Sequence, residues 1–132
     1  STSLSGRAQI HGFHEDARTL LTGADLVVLP SREEGMPNML LEAMVLGVPV
    51  ASSPVGDVPY LLDDGGAGWL VPVGPPDAWV ELLERLEQNP SELEPMGKRG
   101  QQRVSSTFSM DSMLKGIRVC LQKAIEMRPG RR

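Results

Sequence analysis

The 132-residue sequence predicts an α/β fold, in which a parallel β-sheet of about four strands is flanked by helices. In the first half of the chain, short apolar segments alternate with segments of helical pattern. Residues 26–30 (LVVLP) are apolar throughout, which is typical of a strand buried on both faces of a parallel sheet. In the second half, apolar residues recur at a spacing of about 3.6, which predicts helices alone.

Turn residues divide the first half into its elements. The predicted strands lie at residues 9–13, 26–30, 48–52 and 68–72. The predicted helices lie at residues 15–22, 39–46 and 58–62. Gly23 and Gly47 follow the first two helices directly, as glycines that end helices commonly do.

Three further helices are predicted after residue 77. The second begins either at a capping box of Ser91 and Glu94 or with Pro95 as its first residue. The third begins near Ser109, and its apolar stripe includes Cys120, which we expect to pack in the core. Residues 1–127 then form one domain, and residues 128–132 form a basic tail.

Composition excludes several classes of function. The formal net charge of −4 argues against non-specific binding of nucleic acid. No apolar run approaches the ~20 residues that span a bilayer. The single cysteine excludes an intramolecular disulfide, so that a reducing, cytoplasmic setting is the simplest interpretation. No Cys/His cluster indicates a metal site.

The connection from the second predicted strand into the next helix, residues 31–44 (SREEGMPNMLLEAM), holds the candidate site. Ligands of open α/β sheets bind beyond the carboxyl ends of the strands. Asn38 is the predicted helix N-cap, and the free N–H groups of the first turn suit a phosphate. Gly35 lets the backbone come close to a ligand.

Two carboxylates lie within this connection. Glu42 is the only charged residue between Pro37 and Pro54, and a buried carboxylate needs hydrogen-bond donors, which a pair of sugar hydroxyls provides. Glu34 could bind a second sugar ring in the same way. The alternative is that Glu42 lies on an exposed strip of the helix and that Glu33 and Glu34 are simply solvated.

The same segment closely resembles the E-x7-E motif of glycosyltransferase family 4, a family of retaining enzymes with the GT-B fold. Glu34 to Pro37 match its first half and Leu41 to Met44 its second. The flanking segments 24–31, 47–52, 68–72 and 108–109 are similar to the same family. The resemblance covers nearly the whole chain and implies a partial, Rossmann-like donor domain.

This resemblance implies a role for each site residue. Glu34 would contact the transferred sugar and act as the catalytic residue, and the backbone of Gly35, Met36 and Pro37 would line the sugar pocket. The N–H groups of Asn38 and Met39 would bind the diphosphate, and Glu42 would hold the ribose. The residues expected to border the base are Gly12 and Phe13.

The implied function is sugar transfer from a UDP- or GDP-linked sugar to an unknown acceptor, without metal or cofactor. The family often has Glu where this chain has Tyr60. The acceptor domain, the first two donor-domain strands and the Arg and Lys that clamp the diphosphate are missing from the sequence. We therefore expect the chain alone to be inactive. The alternative is a non-catalytic interaction or assembly module that keeps the fold.

The two donor-domain strands that are missing from the sequence also affect how the chain is expected to associate with other chains. In the family's strand order, they lie between residues 9–13 and residues 26–30. Their absence leaves residues 26–30 as an apolar, unpaired edge, which invites pairing with another chain. The expected partners are therefore a nucleotide-sugar, the missing N-terminal half of the enzyme and a second copy of the chain, but not nucleic acid.

Overall fold

The computed structural model describes residues 8–12 and 17–126, apart from the side chains of residues 17, 124 and 125. Within these residues a single three-stranded sheet is formed by β1 (Val27–Leu29), β2 (Val50–Ser52) and β3 (Trp69–Leu70). The strands are parallel and lie in chain order, with Val28 opposite Ala51 and Ser52 opposite Leu70. The predicted α/β fold with a parallel sheet is confirmed.

Six α-helices lie among the described residues. Their bounds are Ala17–Thr22 (α1), Asn38–Val45 (α2), Val58–Leu61 (α3), Asp77–Gln88 (α4), Leu93–Thr107 (α5) and Met110–Glu126 (α6). Short 3₁₀ turns at Asp63–Gly65 and Pro90–Glu92 follow α3 and α4. Among the described residues, no helix is long and apolar enough to cross a bilayer.

The predicted strand at residues 9–13 is wrong over its described part. Residues 8–12 form no regular structure and are exposed, and Phe13 lies outside the described residues. Ile10 is the only large apolar residue from 8 to 12, and it is fully exposed. This segment therefore offers no buried apolar side chain with which to pack in a sheet.

Side chains from the two faces of the sheet form two apolar clusters, because successive strand residues point to opposite faces. Val27 and Val50 face the larger cluster, which α2 and α3 cover with fully buried Leu40, Met44 and Leu61. On the other face, α4 covers Ala51 and Val71 with Leu82 and Leu86. The sheet is therefore sandwiched between two helical layers.

Helix α5 lies beside α2, and two of its glycines bring its backbone close to carbonyl groups of neighbouring turns. A Cβ atom at Gly97 would collide with the carbonyl oxygen of Gly47, and one at Gly100 would lie 3.2 Å from that of Ala67. Both carbonyls belong to the turns that lead into β2 and β3. The close contact is thus with these turns rather than with the strands.

The predicted start of α5 is wrong in both of its forms. The helix begins at Leu93 without a side-chain cap, and Pro95 is its third residue. Glu94 does not reach back to Ser91 but accepts a hydrogen bond from Lys98 at 2.6 Å. Pro95 is tolerated because N–H groups of the first turn have no intrahelical partner.

The last helix, α6, begins near Ser109, as the sequence predicts, but is not buried. Ser109 Oγ accepts a hydrogen bond from the N–H of Ser112 at 3.2 Å, which satisfies one free donor of the first turn. The apolar face of α6, including Met113 and Ile117, is exposed. Cys120 is exposed as well, so that the expectation of a core cysteine is wrong.

Candidate functional site

The candidate site lies where the chain leaves the carboxyl end of β1. Residues 30–37 connect β1 to α2, and residues 53–57 connect β2 to α3 beside them. Because the strands are parallel and adjacent, both connections emerge at the same edge of the sheet. This edge is where the sequence predicts a ligand.

Glu34 is held within the first connection by a neighbouring hydroxyl. Ser31 Oγ donates a hydrogen bond to Glu34 Oε1 at 2.7 Å, and both residues are half-buried. One carboxylate oxygen is thereby fixed, while Oε2 makes no hydrogen bond with the described residues. The carboxylate therefore has acceptor capacity left for a ligand hydroxyl.

The two connections are in direct backbone contact. The N–H of Asp57 donates to the carbonyl of Gly35 at 3.2 Å. Gly56 has a φ of +54°, and a Cβ atom there would collide with the Glu34 carbonyl oxygen. By contrast, nothing lies within 4 Å of a Cβ atom built on Gly35, so that the space beside this residue is open.

Met36 and Pro37 anchor the end of the connection. Met36 is half-buried against the larger apolar cluster, and Pro37 is buried. Pro37 has an extended conformation, with φ −76° and ψ 110°, and its carbonyl accepts the N–H groups of Leu40 and Leu41. These contacts fix the direction in which α2 leaves the loop.

The predicted N-cap at Asn38 is wrong, because Pro37 is the cap and Asn38 is already helical. The extended backbone that a cap requires belongs to the proline, and the Asn38 side chain makes no capping hydrogen bond. Within the described residues, the N–H groups of Asn38 and Met39 donate to no carbonyl. They are the two donors that the family resemblance assigns to the diphosphate.

Glu42 lies one turn further along α2 and is half-buried. It makes no ion pair or hydrogen bond with any described residue. The side chain borders a cavity of about 190 Å³, which is also lined by Arg18 of α1 and by Leu41, Val45 and Leu46. This half-buried carboxylate beside an open cavity has the acceptors that a pair of vicinal hydroxyls would need.

Of the two residues expected near the base, the structure describes Gly12 alone. Gly12 is exposed, and no atom of the described residues lies within 4 Å of a Cβ atom built there. Phe13 lies outside the described residues. Their assignment stays a prediction.

Two residues without a role predicted from the sequence shape the loop that carries Glu34, and a third contacts α3. Ser31 positions Glu34, and Gly56 admits the neighbouring loop. Arg103 of α5 donates to the Tyr60 carbonyl at 2.7 Å and lies 5.2 Å from the centre of the Tyr60 ring. The only sequence signals are the three-residue spacing from Ser31 to Glu34 and a glycine just after a strand.

Fold and site together define a class of protein. The chain has a parallel sheet, and at its carboxyl edge the connection into α2 carries the carboxylate of Glu34 and leads to the N–H groups of Asn38 and Met39, which donate to no carbonyl of the described residues. Residues 1–89 match the family described as "Glycosyl transferases group 1". The chain belongs to this family.

Curated relatives agree with this assignment. AmsK of Erwinia amylovora, an amylovoran biosynthesis glycosyltransferase, is 34% identical over 101 residues, covering 72% of this chain and 25% of the relative. The putative colanic acid biosynthesis glycosyltransferase WcaL of Escherichia coli is 32% identical over 114 residues, covering 81% and 28%. The chain thus spans about a quarter of the length of these relatives.

Solved structures show the same fold. HepE of Anabaena, solved in complex with UDP, has a TM-score of 0.81 at 23% identity, covering 91% of this chain and 33% of HepE. Sucrose-phosphate synthase of Thermosynechococcus elongatus has a TM-score of 0.73 at 24% identity, covering 85% and 28%. The fold is that of a partial C-terminal domain of a GT-B glycosyltransferase.

Proposed function

We propose that this chain is the donor-binding part of a retaining, family 4 glycosyltransferase, which transfers sugar from a nucleoside-diphosphate sugar to an acceptor. The observation that carries the proposal is the turn from β1 into α2. Two free N–H groups, at Asn38 and Met39, begin a helix that is flanked by the carboxylates of Glu34 and Glu42. A diphosphate between two sugar rings matches this order of donors and acceptors.

Each polar group of the site then binds one part of the nucleotide-sugar. The N–H groups of Asn38 and Met39, aided by the helix dipole, bind the diphosphate without a metal ion or cofactor. Glu42 accepts hydrogen bonds from the ribose hydroxyls, and Glu34, oriented by Ser31, accepts them from the transferred sugar. The open space beside Gly35 leaves room for that sugar.

Two kinds of similarity support the proposal. The curated relatives include an α-(1→4)-mannosyltransferase of Mycolicibacterium hassiacum, which is 32% identical over 112 residues. HepE, which shares the fold, was solved with UDP bound. A nucleoside diphosphate is therefore an apt ligand with which to test the site.

We propose further that the 132 residues bind the donor but do not turn it over. The developing charge on a leaving diphosphate needs preorganised cations, and those that the family resemblance implies lie outside this sequence. Sugar transfer by the purified chain at ordinary enzyme rates would contradict this part of the proposal.

The experiment is a calorimetric titration of UDP and GDP into the chain, in buffer containing EDTA. A half-buried carboxylate that accepts hydrogen bonds from two hydroxyls loses much of that interaction when it is neutralised. We therefore expect Glu42→Gln to weaken binding about tenfold or more. Glu81→Gln is the matched control, because Glu81 is an exposed residue of α4.

Equal affinity of Glu42→Gln and the unchanged chain for the nucleotide would refute the role of Glu42. Absence of any nucleotide binding, in a chain shown to be folded by circular dichroism, would favour the alternative function. In that case the domain would be an interaction or assembly module that keeps the fold.

A further inference from the structure

A second cleft lies at the carboxyl edge of the sheet, apart from the proposed donor site. It has a volume of about 220 Å³ and is lined by residues that follow all three strands, among them Pro30, Ser53 and Gly74. None of the residues that we assign to the donor lines it. The cleft is therefore a separate feature of the edge at which α/β domains bind ligands.

Ser53 gives this cleft a hydroxyl group that has no hydrogen-bond partner among the described residues. The residue is 2% exposed, and its N–H donates to Leu29 while its carbonyl accepts from Val55. Its hydroxyl forms no hydrogen bond within the described residues. Because Ser53 lines the cleft and its hydroxyl is not paired within the described residues, that hydroxyl is available to hydrogen-bond a polar group of a ligand in the cleft.

The positive charge at this cleft comes from one side chain and from the start of one helix. The exposed guanidinium of Arg32 lines the cleft and forms no ion pair or hydrogen bond with the described residues. Helix α4 begins at the same cleft after Pro76, and the N–H groups of Asp77 and Ala78 donate to no carbonyl of the described residues. The Asp77 side chain does not line the cleft. This combination favours an anionic group.

An aromatic side chain and the volume of the cleft indicate what else the ligand contains besides an anionic group. Trp79 is half-buried and lines the cleft, which gives a flat surface for the apolar face of a sugar ring. Pockets for drug-sized ligands measure roughly 300–1,000 Å³, so that about 220 Å³ admits a single ring. Gly74 leaves the mouth open, with nothing within 4 Å of a Cβ atom built there.

We propose that this cleft binds a hexose ring that carries one anionic group. The ring stacks on Trp79, the anion pairs with Arg32, and a hydroxyl of the ring bonds to Ser53. The anion is either a carboxylate, as in a uronic acid, or a phosphate. The proposal goes beyond donor binding, because it gives the domain a subsite for a second, acidic sugar.

The test is an NMR titration of the 132-residue chain with glucuronate, glucose 1-phosphate, glucose and inorganic phosphate. The chain has two tryptophans, so that the indole N–H signal of Trp79 reports on this cleft separately from the donor site. We expect that signal to shift with both acidic sugars, and more weakly or not at all with glucose or phosphate alone. The tighter of the two acidic sugars identifies the anion.

Arg32→Gln should weaken binding of the acidic sugars about fivefold or more, because a charge-assisted hydrogen bond is lost. Arg118→Gln, on exposed α6, is the matched control and should leave that affinity within twofold. Ser53→Ala should weaken all ring-containing ligands alike.

An unmoved Trp79 signal at tens of millimolar acidic sugar would overturn the proposal, as would equal binding of glucose or equal binding of inorganic phosphate. A negative result with the acidic sugars would not count against the proposed donor site, because nucleotide binding is measured from the amide signals of α2. Conversely, loss of nucleotide binding in Glu42→Gln does not alter what Trp79 reports.

Discussion

Gly56 shows how one missing side chain shapes the candidate site. Its backbone has a φ of +54°, and its Cα faces the carbonyl of Glu34 so closely that no Cβ atom fits. Glycine adopts that left-handed conformation readily, and its lack of a side chain leaves that space free. The orientation of Glu34 thus depends on a residue in a different loop.

We predict that Gly56→Ala lowers the free energy of unfolding by about 1–3 kcal/mol, since the left-handed conformation and the collision both oppose a methyl group. The same change should weaken nucleotide binding, because it displaces the backbone of Glu34. Urea denaturation and calorimetry measure the two effects.

Gly35→Ala is the control for that prediction. A Cβ atom at Gly35 meets nothing within 4 Å, so that stability should change by no more than about 0.5 kcal/mol. Equal stability of the two variants would show that the contact between the loops is not as close as the structure has it.

Among the helices, α2 and α6 both carry an apolar stripe, but only the stripe of α2 is buried. Met44 of α2 is 0% exposed and lies in the larger cluster, whereas Met113 of α6 is 52% exposed. Periodicity alone predicts an apolar face for both helices but does not reveal whether another element covers it. This is why Cys120 was wrongly expected in the core.

We predict that Met44→Ala lowers the free energy of unfolding by about 2–5 kcal/mol, because it leaves a cavity in a closely packed core. Met113→Ala is the matched change at an exposed position, with an expected effect within about 0.5 kcal/mol. Chemical denaturation of both variants measures the difference. A loss of 2 kcal/mol or more in Met113→Ala would mean that α6 is packed in solution.

Sequence reasoning predicted the elements that local pattern determines. The strands β1, β2 and β3 and the turn into α2 follow from apolar runs, glycines and Pro37. The cap of α2 was assigned one residue late, because Asn38 is the better capping residue by type, whereas the extended backbone belongs to Pro37. The contact from Gly56 to Glu34 joins residues 22 positions apart, which no local pattern reveals.

At the scale of the whole molecule, the sheet ends in an open edge at β1. Within the described residues, β1 pairs with β2 alone, and Val28 is 40% exposed. Exposed apolar strand edges favour pairing with another chain. The apolar face of α6 adds a second uncovered surface to the same domain.

We predict that the purified chain self-associates at micromolar concentration and that Val28→Lys reduces the association, because a charge on an edge strand opposes pairing. Light scattering coupled to size exclusion measures both. Ile117→Lys tests α6 in the same way. A monodisperse monomer under these conditions would contradict the prediction.

The central claim is that the first turn of α2 binds the diphosphate of a nucleotide-sugar. Titration of UDP or GDP into ¹⁵N-labelled chain tests it most directly, because the free N–H groups of Asn38 and Met39 give their own amide signals. We predict that these two amides show the largest shifts and that Glu42→Gln weakens the response. If the nucleotide leaves both amides unmoved at millimolar concentration, or shifts only residues away from α2, the claim is contradicted.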